Sequence, residues 1–139
     1  MQIHTSTVEQ TRNVGARLAQ RVKPGDVFIL DGDLGTGKTE FVRGFVASLG
    51  DNVTVRSPSF SILNIYLTAT INIYHFDFYR LSDASELSQL GFDDYLYGNG
   101  VCLIEWGSLF RDMLPERSRI IKFIDTGESE RVLEADFEF

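Results

Sequence analysis

The run Gly32-Asp33-Leu34-Gly35-Thr36-Gly37-Lys38-Thr39 satisfies the pattern G-x-x-x-x-G-K-[ST] and follows the apolar stretch Val27-Phe28-Ile29-Leu30. No other stretch of the chain narrows its possible folds so far. Glycines at 32, 35 and 37 allow positive φ, so that successive backbone N–H groups can turn inward around phosphate oxygens. In such a Walker A loop the lysine, here Lys38, reaches the β- and γ-phosphates, and the hydroxyl of Thr39 serves a magnesium ion. A helix from residue 38 to 48 then adds its positive N-terminal end to the same anion. Chance would place the pattern in about one chain in two hundred of this length, and the strand before and helix after are the context the motif requires.

The flanking sequence extends this unit. Val8, Val14, Leu18 and Val22 mark an amphipathic helix over 7–22, with Thr7 as N-cap and Lys23-Pro24-Gly25 as its stop. After strand 26–31 and the loop, Phe41, Val42, Phe45, Val46 and Leu49 recur at helical spacing until Gly50. Residues 62–66 and 71–77 read as a hairpin across Thr68-Ala69-Thr70, with Ser57 and Ser59 before it as hydroxyls for a γ-phosphate sensor or a plain turn. A helix capped by Ser82 or Asp83 with Glu86 runs to Gly91. Val101-Cys102-Leu103-Ile104 is a buried parallel strand, and strands around 120–124 and 132–137 join at Thr126-Gly127, the second as an exposed antiparallel edge. The expectation is an α/β fold of the P-loop NTPase type in a single domain over 1–139. It has a mostly parallel central sheet, helices on both faces and antiparallel C-terminal edge strands.

A magnesium nucleotide site needs a further acid at a strand end. Two qualify: Asp77 closes Ile73-Tyr74-His75-Phe76 and Glu105 closes Val101-Cys102-Leu103-Ile104. Asp77 is assigned as water-mediated magnesium partner, and Glu105 as the group that positions the attacking water or joins the metal shell. Arg80 serves either as a salt bridge or as a cation for the γ-phosphate, the former being preferred. His75, without a partner in the sequence, is expected to pack beside the sheet. Cys102 is a buried filler.

Charge and hydropathy exclude other classes. Thirteen Lys and Arg against twenty Asp and Glu give a net charge of −7, which opposes a broad nucleic-acid surface, so that any link to RNA runs through a partner. No apolar run reaches the ~20 residues of a membrane span. The N-terminus shows no secretory signal, and a cytoplasmic protein is expected.

The blocks Gly32–Thr39 with Arg43-Gly44-Phe45, Ser57-Pro58-Ser59-Phe60, His75-Phe76-Asp77-Phe78-Tyr79-Arg80-Leu81 and Leu103-Ile104-Glu105-Trp106 together resemble the bacterial tRNA threonylcarbamoyladenosine biosynthesis ATPase family, TsaE. Order and spacing match over roughly residues 5–135. The resemblance implies a small cytoplasmic ATPase, using ATP and Mg²⁺, that assists N6-threonylcarbamoyladenosine formation in tRNAs reading codons that begin with A. It implies partnership with the transferase subunit and its non-catalytic paralogue, the TsaD–TsaB heterodimer, which stimulates turnover, and only indirect contact with tRNA. Carried over by residue, Gly35, Thr36, Gly37, Lys38 and Thr39 hold the phosphates, Thr39 and Glu105 serve the metal, Asp77 matches the acid of the second motif, and Lys38, Asp77 and Glu105 form the catalytic set. Glu9 and Gly127 are its base-pocket candidates. Glu40 stands beside the phosphates where the family has a second hydroxyl residue, Ser59 replaces a threonine, and Gly107 a proline. Two further readings remain: a nucleotide-dependent scaffold without significant hydrolysis, and a small-molecule kinase. The latter would need an acceptor pocket and usually an Arg-rich lid, for which the stretch after Glu105 supplies only Arg111, Arg117, Arg119 and Lys122 in little chain.

Overall fold

The computed structural model describes residues 1–50, 55, 62–127 and 129–139. Among the described residues seven strands form one sheet in the order β1-β7-β6-β2-β5-β4-β3. They are β1 (Gln2–Thr5), β2 (Val27–Asp31), β3 (Leu63–Leu67), β4 (Asn72–Asp77), β5 (Gly100–Glu105), β6 (Arg119–Asp125) and β7 (Arg131–Ala135). The central strands β6, β2, β5 and β4 are parallel, and the pairs at both margins are antiparallel. The expected sheet type is therefore present, with one correction at its margin. The exposed C-terminal edge is not β7: the unread strand β1 pairs along it, Ile3 opposite Leu133. Four residues are too few to display a strand period, so this partner could not be read in advance.

Residues alternate between the faces of β2. Phe28 and Leu30 join a core under helices α1 (Val8–Ala19) and α2 (Lys38–Leu49), whereas Val27 and Ile29 join a second core on the opposite face. That second face is covered by short elements: α3 (Ser85–Gln89), α4 (Phe92–Leu96) and the 3-10 segments Phe78–Arg80 and Gly107–Met113. Thr7 caps α1 as read, its hydroxyl accepting from the Gln10 N–H at 3.1 Å. The single helix read from 82 to 91 instead starts after Ala84 and breaks at Gly91, whose φ of 72° ends α3 and opens α4. Asp83 accepts from the Ser85 N–H at 2.8 Å, and Glu86 from the Ser82 N–H at 3.3 Å. The capping groups thus shape the turn ahead of the helix. Cys102 is buried as expected, and burial pushes its thiol up to about 12. Ser57 and Ser59 lie outside the described residues.

Helices α1 and α2 touch through glycine. A Cβ on Gly44 would stand 1.9 Å from the Arg12 carbonyl oxygen, and one on Gly15 would stand 2.0 Å from that of Phe41. Both obstacles are backbone, so neither can rotate away. Alanine at Gly44 gains about 1 kcal/mol of helix propensity, but forcing the helices apart costs up to ~3 kcal/mol or more. Gly44→Ala is therefore expected to lower the denaturant midpoint by the equivalent of about 2 kcal/mol. An unchanged midpoint would show that the helices part without cost.

Candidate functional site

The parallel strands β2, β5 and β4 end side by side, with Leu30 opposite Glu105 and Glu105 opposite Asp77. Both carboxylates read from the sequence therefore stand at the edge where the phosphate loop leaves β2. In the loop, Gly32, Gly35 and Gly37 have φ of 155°, 77° and 102°, in the region that side chains disfavour. A Cβ on Gly32 would also meet the Phe123 carbonyl oxygen at 2.6 Å. Thr36 is buried and its hydroxyl donates to the Asp33 carbonyl at 2.7 Å, which fixes the loop from within. The α2 ladder opens at Gly37, where the Phe41 N–H bonds its carbonyl at 2.9 Å.

Lys38 gathers the site. Its ammonium donates to the Gly32 carbonyl, lies 3.9 Å from Glu105 Oε1 and sits 4.4 Å above the centre of the Trp106 ring. Burial pushes the Lys38 pKa below the ordinary lysine range, opposed by the charges of Glu105, Asp77, Asp31 and Asp33. Trp106 has a left-handed backbone, φ 60° and ψ 29°, which costs a non-glycine residue about 1–2 kcal/mol. That conformation turns the chain out of β5 and lays the ring on Lys38. Gly107 follows for a packing reason, since a Cβ there would press on Ile29 at 2.9 Å.

Glu105 is 6% exposed. Its second oxygen, Oε2, lies 2.6 Å from His75 Nε2, and His75 Nδ1 lies 3.1 Å from the Tyr66 hydroxyl. His75 packs against the sheet as expected, fully buried, but with partners that the sequence does not show. It occupies β4 two residues before Asp77, and strand period two puts both on the face of Glu105. Asp77 accepts from the Tyr79 N–H at 3.0 Å, capping the 3-10 segment. Burial raises its pKa above the usual carboxylate range, against that bond. Arg80 is exposed and, among the described residues, makes no ion pair, so the preferred salt bridge is not found there.

A cavity of about 420 Å³ opens over the loop. Gly35, Gly37, Lys38, Thr39, Glu40 and Glu105 line it on one side, Thr5 to Val8 and Thr11 on another, and Ser129 and Arg131 on a third. Glu9 and Gly127 do not line it. The wall is built from the same two regions, but by their neighbours. Arg131, unread as a site residue, donates to the Gly35 carbonyl at 3.2 Å and pairs with Asp125 at 3.2 Å. Nothing local marks it, because the β6–β7 turn brings it across from the far end of the chain. Glu40 is clamped by Arg12 at 2.7 Å and Arg43 at 3.2 Å, so the unusual acid beside the loop is balanced by two guanidinium groups.

The oxygen donors at this edge, the Thr39 hydroxyl and the Glu105 and Asp77 carboxylates, suit magnesium, which favours oxygen and keeps several waters. Among the described residues no group of three or more His, Cys, Asp or Glu could hold a metal alone; an ion here would need phosphate oxygens as well. Of the four cations named for a kinase lid, Lys122 stands in register with Asp31 at the loop end of β2, and the other three are held by other groups. Arg117 donates to the carbonyls of Gly25 and Leu96, Arg111 to that of Pro115, and Arg119 stacks on Phe137. Gly25 precedes β2, at the end of the sheet opposite the loop.

Comparison with known proteins gives a concordant result. Residues 5–133 match the model of the family described as threonylcarbamoyl adenosine biosynthesis protein TsaE. The tRNA threonylcarbamoyladenosine biosynthesis protein TsaE of Bacillus subtilis is 42% identical over 91% of this chain and 79% of its own length. Its namesake in Rickettsia typhi is 42% identical over 81% and 78%. The crystal structure of Bacillus subtilis YdiB superposes with a TM-score of 0.81 at 36% identity, covering 97% of this chain and 83% of that one. Among the described residues no helix is long and apolar enough to cross a membrane.

Proposed function

Because this chain belongs to the TsaE family of tRNA threonylcarbamoyladenosine biosynthesis proteins, we propose that it is a single-domain, cytoplasmic, Mg²⁺-dependent ATPase whose turnover serves that modification. One observation carries the reading: Lys38 and Glu105 meet at 3.9 Å where the phosphate loop, the strand-end acids and the cavity converge. The loop N–H groups and Lys38 hold the triphosphate, the latter giving up its contacts with Gly32 and Glu105 for phosphate oxygens. Thr39 and Glu105 would hold the metal, which would neutralise charge on the transferring phosphoryl group. Glu105 orients the attacking water, and Asp77 carries a bridging water. Glu9 and Gly127 remain base-pocket candidates beside the residues that line the cavity.

The partner in this reading is the TsaD–TsaB heterodimer, with tRNA reached only through it. The net charge of −7 accords with that indirect role. The test is steady-state ATP hydrolysis by the protein alone and with the heterodimer, with Lys38→Ala as blank. Stimulation of the parent and none of the blank is the expected result. Tight ATP binding without hydrolysis in either condition would replace this reading by the nucleotide-dependent scaffold.

A further inference from the structure

Three polar side chains cross the sheet beneath α2 in a line: Tyr66 on β3, His75 on β4 and Glu105 on β5. Each strand contributes one member, and the line ends beside Lys38. His75 is fully buried and Tyr66 is 4% exposed. Around them the same face is apolar, with Ile73, Val101, Leu103 and Phe45 in its core. An imidazole there costs desolvation that a phenylalanine would not, and it is retained at low cost only if both ring nitrogens are satisfied. Both are. In the tautomer with the proton on Nε2, Nε2–H donates to Glu105 Oε2 and Nδ1 accepts from the Tyr66 hydroxyl.

We propose that His75 is a positioning residue for Glu105, holding the carboxylate through Oε2 so that Oε1 keeps facing the phosphate loop. The inference rests on the ATPase reading above and deepens it. Glu105 is gripped from two sides, by Lys38 and by His75. Drawing Lys38 onto phosphate oxygens removes the first grip at the moment when the acid must act. His75 stands on β4, outside the phosphate loop, and keeps the second. Donation from the Tyr66 hydroxyl to Nδ1 favours the proton on Nε2; without it the ring proton can sit on Nδ1, leaving an Nε2 lone pair against the carboxylate. His75 itself touches no nucleotide, so its loss is felt in turnover and in the metal-linked part of binding rather than in binding of the metal-free nucleotide.

The experiment compares the parent with His75→Phe, His75→Gln and Tyr66→Phe. It measures kcat and KM for ATP with Mg²⁺, ADP affinity with and without Mg²⁺ by calorimetry, and the low-field imidazole N–H resonance of the ¹⁵N-histidine-labelled protein. His75→Phe is expected to lower kcat roughly 10- to 100-fold, the usual effect of removing such a partner. Metal-free ADP affinity stays within about twofold of the parent, while the gain from adding Mg²⁺ shrinks about tenfold. His75→Gln restores part of kcat, because its amide can still donate to Oε2. The chain has two histidines, so the resonance lost in His75→Phe is assigned by difference, and it should move in Glu105→Gln. If His75→Phe does not fold, Tyr66→Phe carries the test, with a fall in kcat of about threefold or more and unchanged metal-free ADP affinity.

Parent kcat in His75→Phe, a fall in metal-free ADP affinity matching that in kcat, or no recovery in His75→Gln overturns the proposal. So does parent kcat in Tyr66→Phe. Absence of hydrolysis in the parent itself, with and without the heterodimer, would instead remove the ATPase reading. The Mg²⁺-linked gain in ADP affinity and the imidazole resonance then still decide the role of His75, and an unchanged gain in His75→Phe refutes it.

Discussion

Replacing Lys38 by alanine is expected to weaken ATP binding at least about a hundredfold, the equivalent of one or two charge-assisted hydrogen bonds at about 1.5–3 kcal/mol each. Two effects add. The ammonium that reaches the phosphates is gone, and Glu105, which it faced at 3.9 Å, then presents an uncompensated carboxylate to an incoming triphosphate. Burial holds the Lys38 pKa below the ordinary lysine range, a shift that an approaching polyanion opposes. The sheet and the α1–α2 contact do not depend on this side chain, so circular dichroism should show a folded protein. Calorimetry is the suitable assay, because the Trp106 ring lies on Lys38 and its fluorescence will change with the substitution itself. ATP affinity within tenfold of the parent would mean that the loop N–H groups carry binding without the lysine.

Glu105→Gln is expected to have the opposite profile. It removes one negative charge beside the phosphate loop while leaving an oxygen to accept from His75 Nε2–H, now 2.6 Å from Oε2. ATP affinity should hold or rise, whereas kcat should fall about a hundredfold or more, the scale of a lost group that orients or deprotonates the attacking water. Single-turnover hydrolysis with calorimetric affinity separates the two quantities. Parent kcat in this variant would remove Glu105 from the reaction and leave Asp77, adjacent to it in register, as the acid to test next.

The two variants together distinguish the site's halves. In the proposed reading Lys38→Ala is expected to change ground-state binding and Glu105→Gln the chemical step. Glu40 lines the same cavity, with its charge balanced by Arg12 and Arg43.

Much of this was local in the sequence. The phosphate loop was legible because its function needs positive φ at fixed positions, and only glycine supplies that freely; Gly32, Gly35 and Gly37 all adopt it. The central strands and α2 were legible because their apolar residues repeat at the period of the element that buries them. Asp77 and Glu105 were legible as strand ends, and a parallel sheet necessarily brings such ends to one edge. Short elements were not legible. β1 has four residues, and α3 and α4 five each, fewer than two helical turns and too few for a period to show.

Pairing across the sheet was decided by the tertiary structure alone. That His75 would donate to Glu105, thirty residues away, depends on β4 lying beside β5. That Arg131 would reach Gly35, ninety-six residues away, depends on β7 folding back toward the loop. A hydrogen bond is specified by distance and direction in space, and sequence separation carries no information about either. The sequence by itself therefore determined which backbone could cradle a phosphate. The packed sheet determined which side chains stand behind it, because only close packing fixes the neighbours of a buried polar group.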